Sequence, residues 1–383
     1  MMKQSDLRKQ IQQYMVLQRK RAADIHQMDR AHQKLEHVIF AEPRNSYLNG
    51  EYVDRLVLFL RGTGCTWAND TGGCTFCGFW NATNFGVKIS NQDYLNQIKQ
   101  ALQDEHIDAQ NYQIISLYND GSLFEEREIE FEVVLQICRM IVEELSIHRI
   151  VIETKIIDLD ESKIIALTKV LDGIELEIAV GFESANHLVR DLCINKNFSK
   201  PIFEKNVEML QRHGVRLVPL IMVKPPFLTE KMAIEDLIAS LIYLESFNLP
   251  RIDLELATIE QHTLMHDLWR HKLYTPPRLW TIREILKQRE TLELNTEIYL
   301  SPPNYSVEAL AYSENCPACN PVMTKAMHSF NRTQTANAFD FITCECETPW
   351  QQLIDDSKPT DLLTHIAFTF KTLLEKENLI KEN

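Results

Sequence analysis

No stretch of this 383-residue chain approaches the 18 uninterrupted apolar residues that a membrane-crossing helix needs. The longest apolar runs, such as Leu217–Val223, have the length of a strand. The opening MMKQSDLRKQIQQYM lacks the apolar core of a signal peptide, so a cytoplasmic protein without membrane association is expected. No segment is of low complexity and none repeats at a fixed period, which sets aside disordered tracts and solenoids. Glycine is scarce at 11 residues, yet five of them crowd between Gly62 and Gly78. Basic charge is also short: 40 Lys and Arg against 54 Asp and Glu leave a net charge of -14. Residues 1–44 hold nine Lys/Arg and five Asp/Glu, so the acidity belongs to the rest of the chain. An acidic body is a poor match for a long nucleic-acid footprint, which needs Lys and Arg against phosphates, although a local basic patch stays open. The 45 % apolar and 25 % charged content is that of an ordinary globular protein, long enough for one large catalytic domain with modest extensions.

Cysteine, by contrast, is plentiful. Nine are present, an odd number, and seven fall in two groups: Cys65, Cys74 and Cys77, then Cys316, Cys319, Cys344 and Cys346. In a reducing compartment, grouped cysteines read as metal ligands before disulfides. The first group sits in Arg61-Gly62-Thr63-Gly64-Cys65-Thr66-Trp67-Ala68-Asn69-Asp70-Thr71-Gly72-Gly73-Cys74-Thr75-Phe76-Cys77-Gly78-Phe79-Trp80, a C-x8-C-x2-C spacing. Three thiolates on one loop can ligate three irons of a cubane cluster and leave the fourth iron open. Gly62, Gly64, Gly72, Gly73 and Gly78 let the backbone wrap closely and take positive φ. A zinc site completed by a fourth ligand is the competing reading, and the next histidine after the loop, His106, is 29 residues on.

The rest of the chain alternates. Residues 3–40 read as one or two polar helices, with a break at Pro43 and Asn45. Strands are predicted at Leu56–Leu60, Ile114–Tyr118, Ile150–Thr154, Leu176–Phe182, Leu217–Val223 and Ile252–Ala257. Helices fall between them: one opened by Ser90 with Asp93, then Glu126–Leu145, Glu161–Leu171, one capped by Ser199, and one capped by Thr229. Apolar strands separated by helices imply βαβ units and a parallel sheet. Six units suit an α/β fold of partial (β/α)6 TIM-like barrel type, with chemistry at the C-terminal ends of the strands. N-terminal helices (1–45) and a Cys-rich C-terminal extension (306–383) would flank a barrel spanning 46–305.

These motifs resemble the radical S-adenosylmethionine (radical SAM) enzymes related to the Elongator catalytic subunit, and within them the archaeosine synthase branch. The resemblance runs from about Arg55 to Trp350. It rests on Gly64-Cys65-Thr66-Trp67 with Gly72–Gly78, Asp120–Phe124, Ile152-Glu153-Thr154, Val180–Ser184, Ile194-Asn195-Lys196, Lys224–Glu230, Tyr274, Pro276-Pro277 and Leu279-Trp280. It implies a [4Fe-4S] cluster on Cys65, Cys74 and Cys77 that cleaves SAM reductively. A 5′-deoxyadenosyl radical then takes hydrogen from a substrate, with flavodoxin or ferredoxin as electron donor. It further implies that Phe76 shields the cluster near the adenine. Asn119, Asp120, Gly121 and Ser122 would meet the SAM amino group, Glu153 would face the barrel mouth, and Glu183 and Ser184 would bond the ribose. Lys196 and Lys224 would sit on the same rim, where an anionic group could bind. Glu183 could equally be a helix-cap acid, and Lys224 a solvent-exposed lysine. No residue is singled out as the catalytic acid or base. The branch points to cleavage of a lysine adduct on a tRNA base. A tailoring enzyme for a small metabolite, and a non-catalytic zinc-stabilised binding protein, are the alternatives.

In the second group, Cys316-Pro317-Ala318-Cys319 and Cys344-Glu345-Cys346 could close a tetrahedral zinc site or hold an auxiliary cluster. A helix is expected at Pro321–Phe330 between them. Weaker signals remain. His262, His266 and Asp267 lie on an expected helix, Glu260–Lys272, where an i, i+4 pair could bind a metal. Cys138 reads as core, Cys193 could approach the site, and Tyr274 and Trp280 read as packing.

Overall fold

Strands that are apolar on both faces must be covered on both, and this sheet is. The computed structural model describes residues 3–25, 34–48, 50–79, 87–196, 198–303, 309–357 and 360–379. Among the described residues, eight strands form one sheet in chain order: β1 (Phe40–Leu48), β2 (Glu51–Phe59), β3 (Ile114–Tyr118), β4 (Arg149–Thr154), β5 (Glu175–Gly181), β6 (Arg216–Val223), β7 (Ile252–Leu256) and β8 (Ile298–Leu300). β1 and β2 form an antiparallel hairpin, and every later neighbour pairs in parallel. The helices are α1 (Gln4–Ile25), α2 (Thr66–Thr71), α3 (Asn91–Gln103), α4 (Phe131–Glu144), α5 (Glu161–Leu171), α6 (Lys200–Arg212), α7 (Glu230–Glu245), α8 (Leu264–Arg270), α9 (Leu279–Thr291), α10 (Asn320–Thr333), α11 (Glu347–Asp355) and α12 (Leu362–Lys376). The sheet curls into an almost closed barrel. The seam between its end strands is bridged by side chains, Tyr47 of β1 meeting Tyr299 of β8 edge-on at 6.3 Å between ring centroids.

All six predicted strands are present, as β2 to β7. β1 and β8 extend the six-strand expectation, and Pro43 and Asn45 lie inside β1, not at a break. Proline is tolerated there because β1 is an edge strand, so one face of its backbone needs no ladder partner. Ser90 and Thr229 cap their helices as expected, accepting from Asp93 N and Met232 N. Ser199 stands at the N-cap of α6 but makes no side-chain capping bond. The Glu260–Lys272 expectation shrinks to α8, leaving His262 outside the helix with φ 57°. The helix between the paired cysteines appears as α10.

Alternation along the strands sorts the barrel interior into layers. At the N-terminal ends, Arg149, Arg216 and Arg251 converge on Glu177, with contacts of 3.5, 3.1 and 3.1 Å. Glu175 and Asp253 flank them, paired with Arg149 and Arg251. Above this ionic floor lies an apolar layer of Leu48, Ile114, Val151 and Ala179. The floor and layer close one end, so the open end is the one where the strands finish. Outside, α4 buries Phe131, Val134, Ile137, Cys138 and Ile141 against the sheet, which accounts for Cys138 as core. α1 buries Leu7, Ile11, Tyr14, Met15, Gln18, Arg19 and Ala22 along one side, and its Tyr14 hydroxyl donates to Asp267 at 2.7 Å. Asp267 is therefore occupied structurally, and its neighbour His266 does not join it in a metal-ligand group. Among the described residues, no helix is long and apolar enough to cross a membrane.

Candidate active site at the mouth of the barrel

The cysteine loop leaves the end of β2, where Leu60 N still bonds Tyr118 O. It turns at once into the single-turn-and-a-half helix α2, directly after Cys65, and ends that helix at Gly72 with φ 87°. A Cβ on Gly72 would collide with Met15 and the backbone of Val16, so glycine serves both the left-handed cap and the close seat on α1. The other side of the loop is pinned to the segment after β5. Asn195 Nδ2 donates to Gly73 O at 2.8 Å, Trp67 Nε1 to Asn195 O at 2.7 Å, and Thr75 N to Ile194 O at 3.1 Å. Trp80, the last residue of the motif, lies outside the described residues.

Cys65, Cys74 and Cys77 share the wall of one cavity with Phe76, Asn119, Asp120, Gly121, Glu153, Glu183 and Lys196. Seven of the ten side chains expected at the cofactor therefore come together around the three cysteines. Ser122 and Ser184 lie one layer behind. Ser122 Oγ is 2.7 Å from Thr154 Oγ1, and Ser184 Oγ donates to Asp236 at 2.7 Å. Lys224 is elsewhere. It is only 5 % exposed, with φ 60°, and its ammonium meets Glu230 at 2.6 Å. It is neither at this cavity nor exposed, because the turn into Pro225 and Pro226 points it inward against α7. Cys193 is buried and lines neither mouth cavity. Tyr274 and Trp280 are buried packing residues. An adjoining cavity shares Phe76, Cys77, Phe79, Glu153 and Glu183 and continues into the barrel past Arg44, Arg55, Tyr118, Glu255 and Glu260.

Sequence reasoning missed Glu128, which ties the walls together. Its Oε1 accepts from Thr66 N and Thr66 Oγ1, both at 2.8 Å, and from Lys155 Nζ at 3.2 Å, while Oε2 accepts from Ser122 N at 2.6 Å. One buried carboxylate thus joins the cysteine loop to the loop after β3 and to the lysine after β4. On the opposite wall, Lys196 Nζ holds Glu183 Oε1 at 2.7 Å and Gly181 O at 2.9 Å.

Low dielectric shapes the charges. Burial pushes Cys65 and Cys77 up to about 12 and Cys74 to about 11, so a metal must displace protons to bind. Burial, with Glu128 adding to it, raises Asp120 to about 8. Burial also lifts Glu153, Glu255 and Glu260 to about 7 each. Lys196 goes the other way from a typical buried lysine: burial would lower it, but Glu183, Cys74 and Glu153 together outweigh burial and raise it. Asn119 Nδ2 and Asp120 Oδ2 are buried atoms with no hydrogen-bond partner, on residues that line the cavity.

No protein-family model matches the chain. Archaeosine synthase subunit beta of Methanosarcina acetivorans is 26 % identical over 311 residues, covering 80 % of this chain and 87 % of that protein. The protein of the same name from Thermococcus kodakarensis is 26 % identical over 303 residues, covering 79 % and 92 %. The likeness covers about four fifths of this chain and most of each relative. The likeness to these relatives agrees with the resemblance to radical SAM enzymes that the chain's motifs carry. Among solved structures, the Elp3 protein of Methanocaldococcus infernus overlays with a TM-score of 0.46 and 16 % identity, over 62 % of this chain and 58 % of Elp3.

The two cysteine sets differ in spread. Among the described residues, the only ligand-type group with all donor atoms within 4.8 Å of one another is Cys316, Cys319, Cys344 and Cys346. Its sulfurs are 3.6, 3.6 and 3.5 Å apart across Cys316–Cys319, Cys316–Cys344 and Cys319–Cys346. Four sulfurs around one zinc at about 2.3 Å would stand about 3.8 Å apart, so this set fits a single tetrahedral ion. The sulfurs of Cys65, Cys74 and Cys77 are spread wider. That suits a cubane, whose ligands sit on different metal atoms, with unsatisfied Asn119 and Asp120 beside it.

Proposed function

We propose that Cys65, Cys74 and Cys77 hold a [4Fe-4S] cluster, that SAM binds in the cavity they share with Asn119–Gly121, Glu153 and Glu183, and that the enzyme modifies a tRNA base. The convergence of these residues on one cavity carries the cofactor reading. When bound together, cluster and SAM supply one-electron cleavage of a sulfur–carbon bond and a carbon radical able to take hydrogen from a substrate. The chain's own part is binding, orientation and exclusion of water. Asn119 and Asp120 offer buried, unpaired polar atoms to an amino-acid head group. Glu183, steadied by Lys196, can accept two hydrogen bonds from a diol. Phe76 and Phe79 line both cavities and give them an apolar wall. The substrate reading rests on the relatives' name, archaeosine synthase subunit beta, which also suggests a partner subunit. Flavodoxin or ferredoxin would supply the electron. We further propose that Cys316, Cys319, Cys344 and Cys346 bind zinc, which fastens the C-terminal segment to α9 through the Trp280 Nε1 to Cys346 Sγ contact at 3.3 Å.

A small-metabolite substrate is the second reading, favoured by the chain's net charge of -14 and by the acidic lining of the inner cavity at Glu255 and Glu260. Anaerobic reconstitution followed by iron, sulfide and zinc analysis tests the cofactors. About four irons with one zinc is expected; about eight irons would replace the zinc site with a second cluster. Dithionite and SAM should then yield 5′-deoxyadenosine. Added tRNA bearing the adducted base should accelerate its formation. A tRNA-independent rate would move the substrate to the small-molecule reading, and absence of iron would overturn the cluster assignment.

A further inference from the structure

Helix α1 lies against the outer side of the cysteine loop, and the residues it turns toward that side recur every three or four positions, one stripe of a helix. Gln4 donates to Asp191 at 3.1 Å, Arg8 to Lys196 O at 3.2 Å and Gln12 to Asn195 Oδ1 at 3.0 Å, all on the segment that pins the loop. Arg19 ends the stripe beneath the loop itself. Its Nε donates to Gly72 O at 3.0 Å, and one terminal nitrogen donates to Cys77 O at 2.7 Å and Cys74 O at 3.4 Å. The side chain is almost wholly buried. The charges acting on it, after the cost of burial, are those of Cys77, Cys74, Cys65 and Glu260 in that order. A guanidinium is costly to bury unless negative charge compensates it, and three thiolates on this loop would supply that charge.

We propose that Arg19 is a positioning residue for the iron–sulfur centre. Its hydrogen bonds fix the Gly72–Cys77 backbone, and its buried positive charge stabilises the reduced centre and raises its midpoint potential. This rests on reading the three-cysteine loop as the cluster site. Reduction adds one electron, and so one negative charge, to a centre already ligated by thiolates. A fixed cation in low dielectric favours the product of that step over the reactant. Lysine would keep the charge but cannot fork across two carbonyls.

The test uses the full-length protein, reconstituted without oxygen, as Arg19→Met, Arg19→Lys and Arg8→Met beside the unsubstituted chain. Iron per chain is counted, and the midpoint potential is read by dithionite titration followed by electron paramagnetic resonance, without SAM. The expected result is a more negative potential for Arg19→Met at similar iron content, a potential near that of the unsubstituted chain for Arg19→Lys, and no shift for Arg8→Met. Loss of the cluster from Arg19→Met alone, with Arg19→Lys normal in iron and potential, also supports the role of the charge. An unshifted Arg19→Met overturns it, as does equal loss of iron from both Arg19 variants, which would make the contact purely structural. If the unsubstituted chain assembles no cluster, the cluster reading itself has failed and takes this proposal with it.

Discussion

Replacing Glu177 with glutamine should destabilise the protein by about 3 kcal/mol, and the structure says why. Glu177 is fully buried at the floor of the barrel and is met by Arg149, Arg216 and Arg251. Burial alone would raise its carboxyl, but Arg251, then Arg149 and Arg216, outweigh burial and hold it down from 4.5 to about 2. At about 1.4 kcal/mol per tenfold change in proton affinity, that preference corresponds to about 3 kcal/mol for the charged form. It lies at the low end of the 3–5 kcal/mol cost of about one broken buried ion pair. Glutamine keeps the shape and removes the charge. Unfolding entropy of about 2.1 cal/mol/K per residue converts the loss to a Tm lower by about 4 °C for a chain of this length. The pH dependence is the sharper check. The native carboxyl titrates below the unfolded one, so its stabilisation is complete above about pH 4.5 and fades as pH falls toward 2. The advantage of the unsubstituted chain over Glu177→Gln in thermal unfolding should therefore shrink over that window. A Tm difference under about 1 °C at pH 7, or one that does not change with acid, would refute the view that charge holds the floor together.

Other expectations follow from the same geometry. Glu128→Gln places an amide N–H where Glu128 accepts from Thr66, Ser122 and Lys155; 5′-deoxyadenosine formation should fall about tenfold or more, the worth of about one charge-assisted hydrogen bond. Glu183→Gln should weaken SAM binding measured by calorimetry while leaving iron content unchanged, since Glu183 faces the cavity but is no metal ligand. Lys224→Met should lower Tm by leaving Glu230 buried and uncompensated, at a cost of about 3–5 kcal/mol, with the KM for SAM unaltered because Lys224 lies off the cavity. Cys319→Ser should release zinc, measured by plasma mass spectrometry, and change the fluorescence of the described tryptophan Trp280, which touches Cys346.

What could be read in advance divides along a physical line. The six central strands announce themselves because each is a short run dominated by apolar residues, a pattern carried within five to seven residues. β1 hid behind Pro43 and Asn45, whose turn-forming habit is overridden by an edge position. β8 has three residues and offers no pattern to read. The three-cysteine loop and the polar turns after β3, β4 and β5 were legible for the same reason as the strands: each is a local motif. Glu128 and Arg19 were not. Their partners stand 62 and 53 residues away, at Thr66 and Gly72, and nothing in their own neighbourhoods marks them. Lys224 shows the reverse error, since a lysine at the end of a barrel strand looks like a rim residue until the backbone at φ 60° turns it into the protein.

The seat of α1 has a consequence for how the enzyme is made. The contacts of this helix all lie further along the chain, at Gly72, Asn195 and Asp267, and at Phe370 of α12, whose ring meets Tyr14 at 5.9 Å. A growing chain on the ribosome therefore presents three cysteines and α1 long before Asn195, Asp267 and Phe370, which hold α1 in its seat, have been made. The support behind the cysteine loop is thus complete only after α12 has emerged and its Phe370 can meet Tyr14.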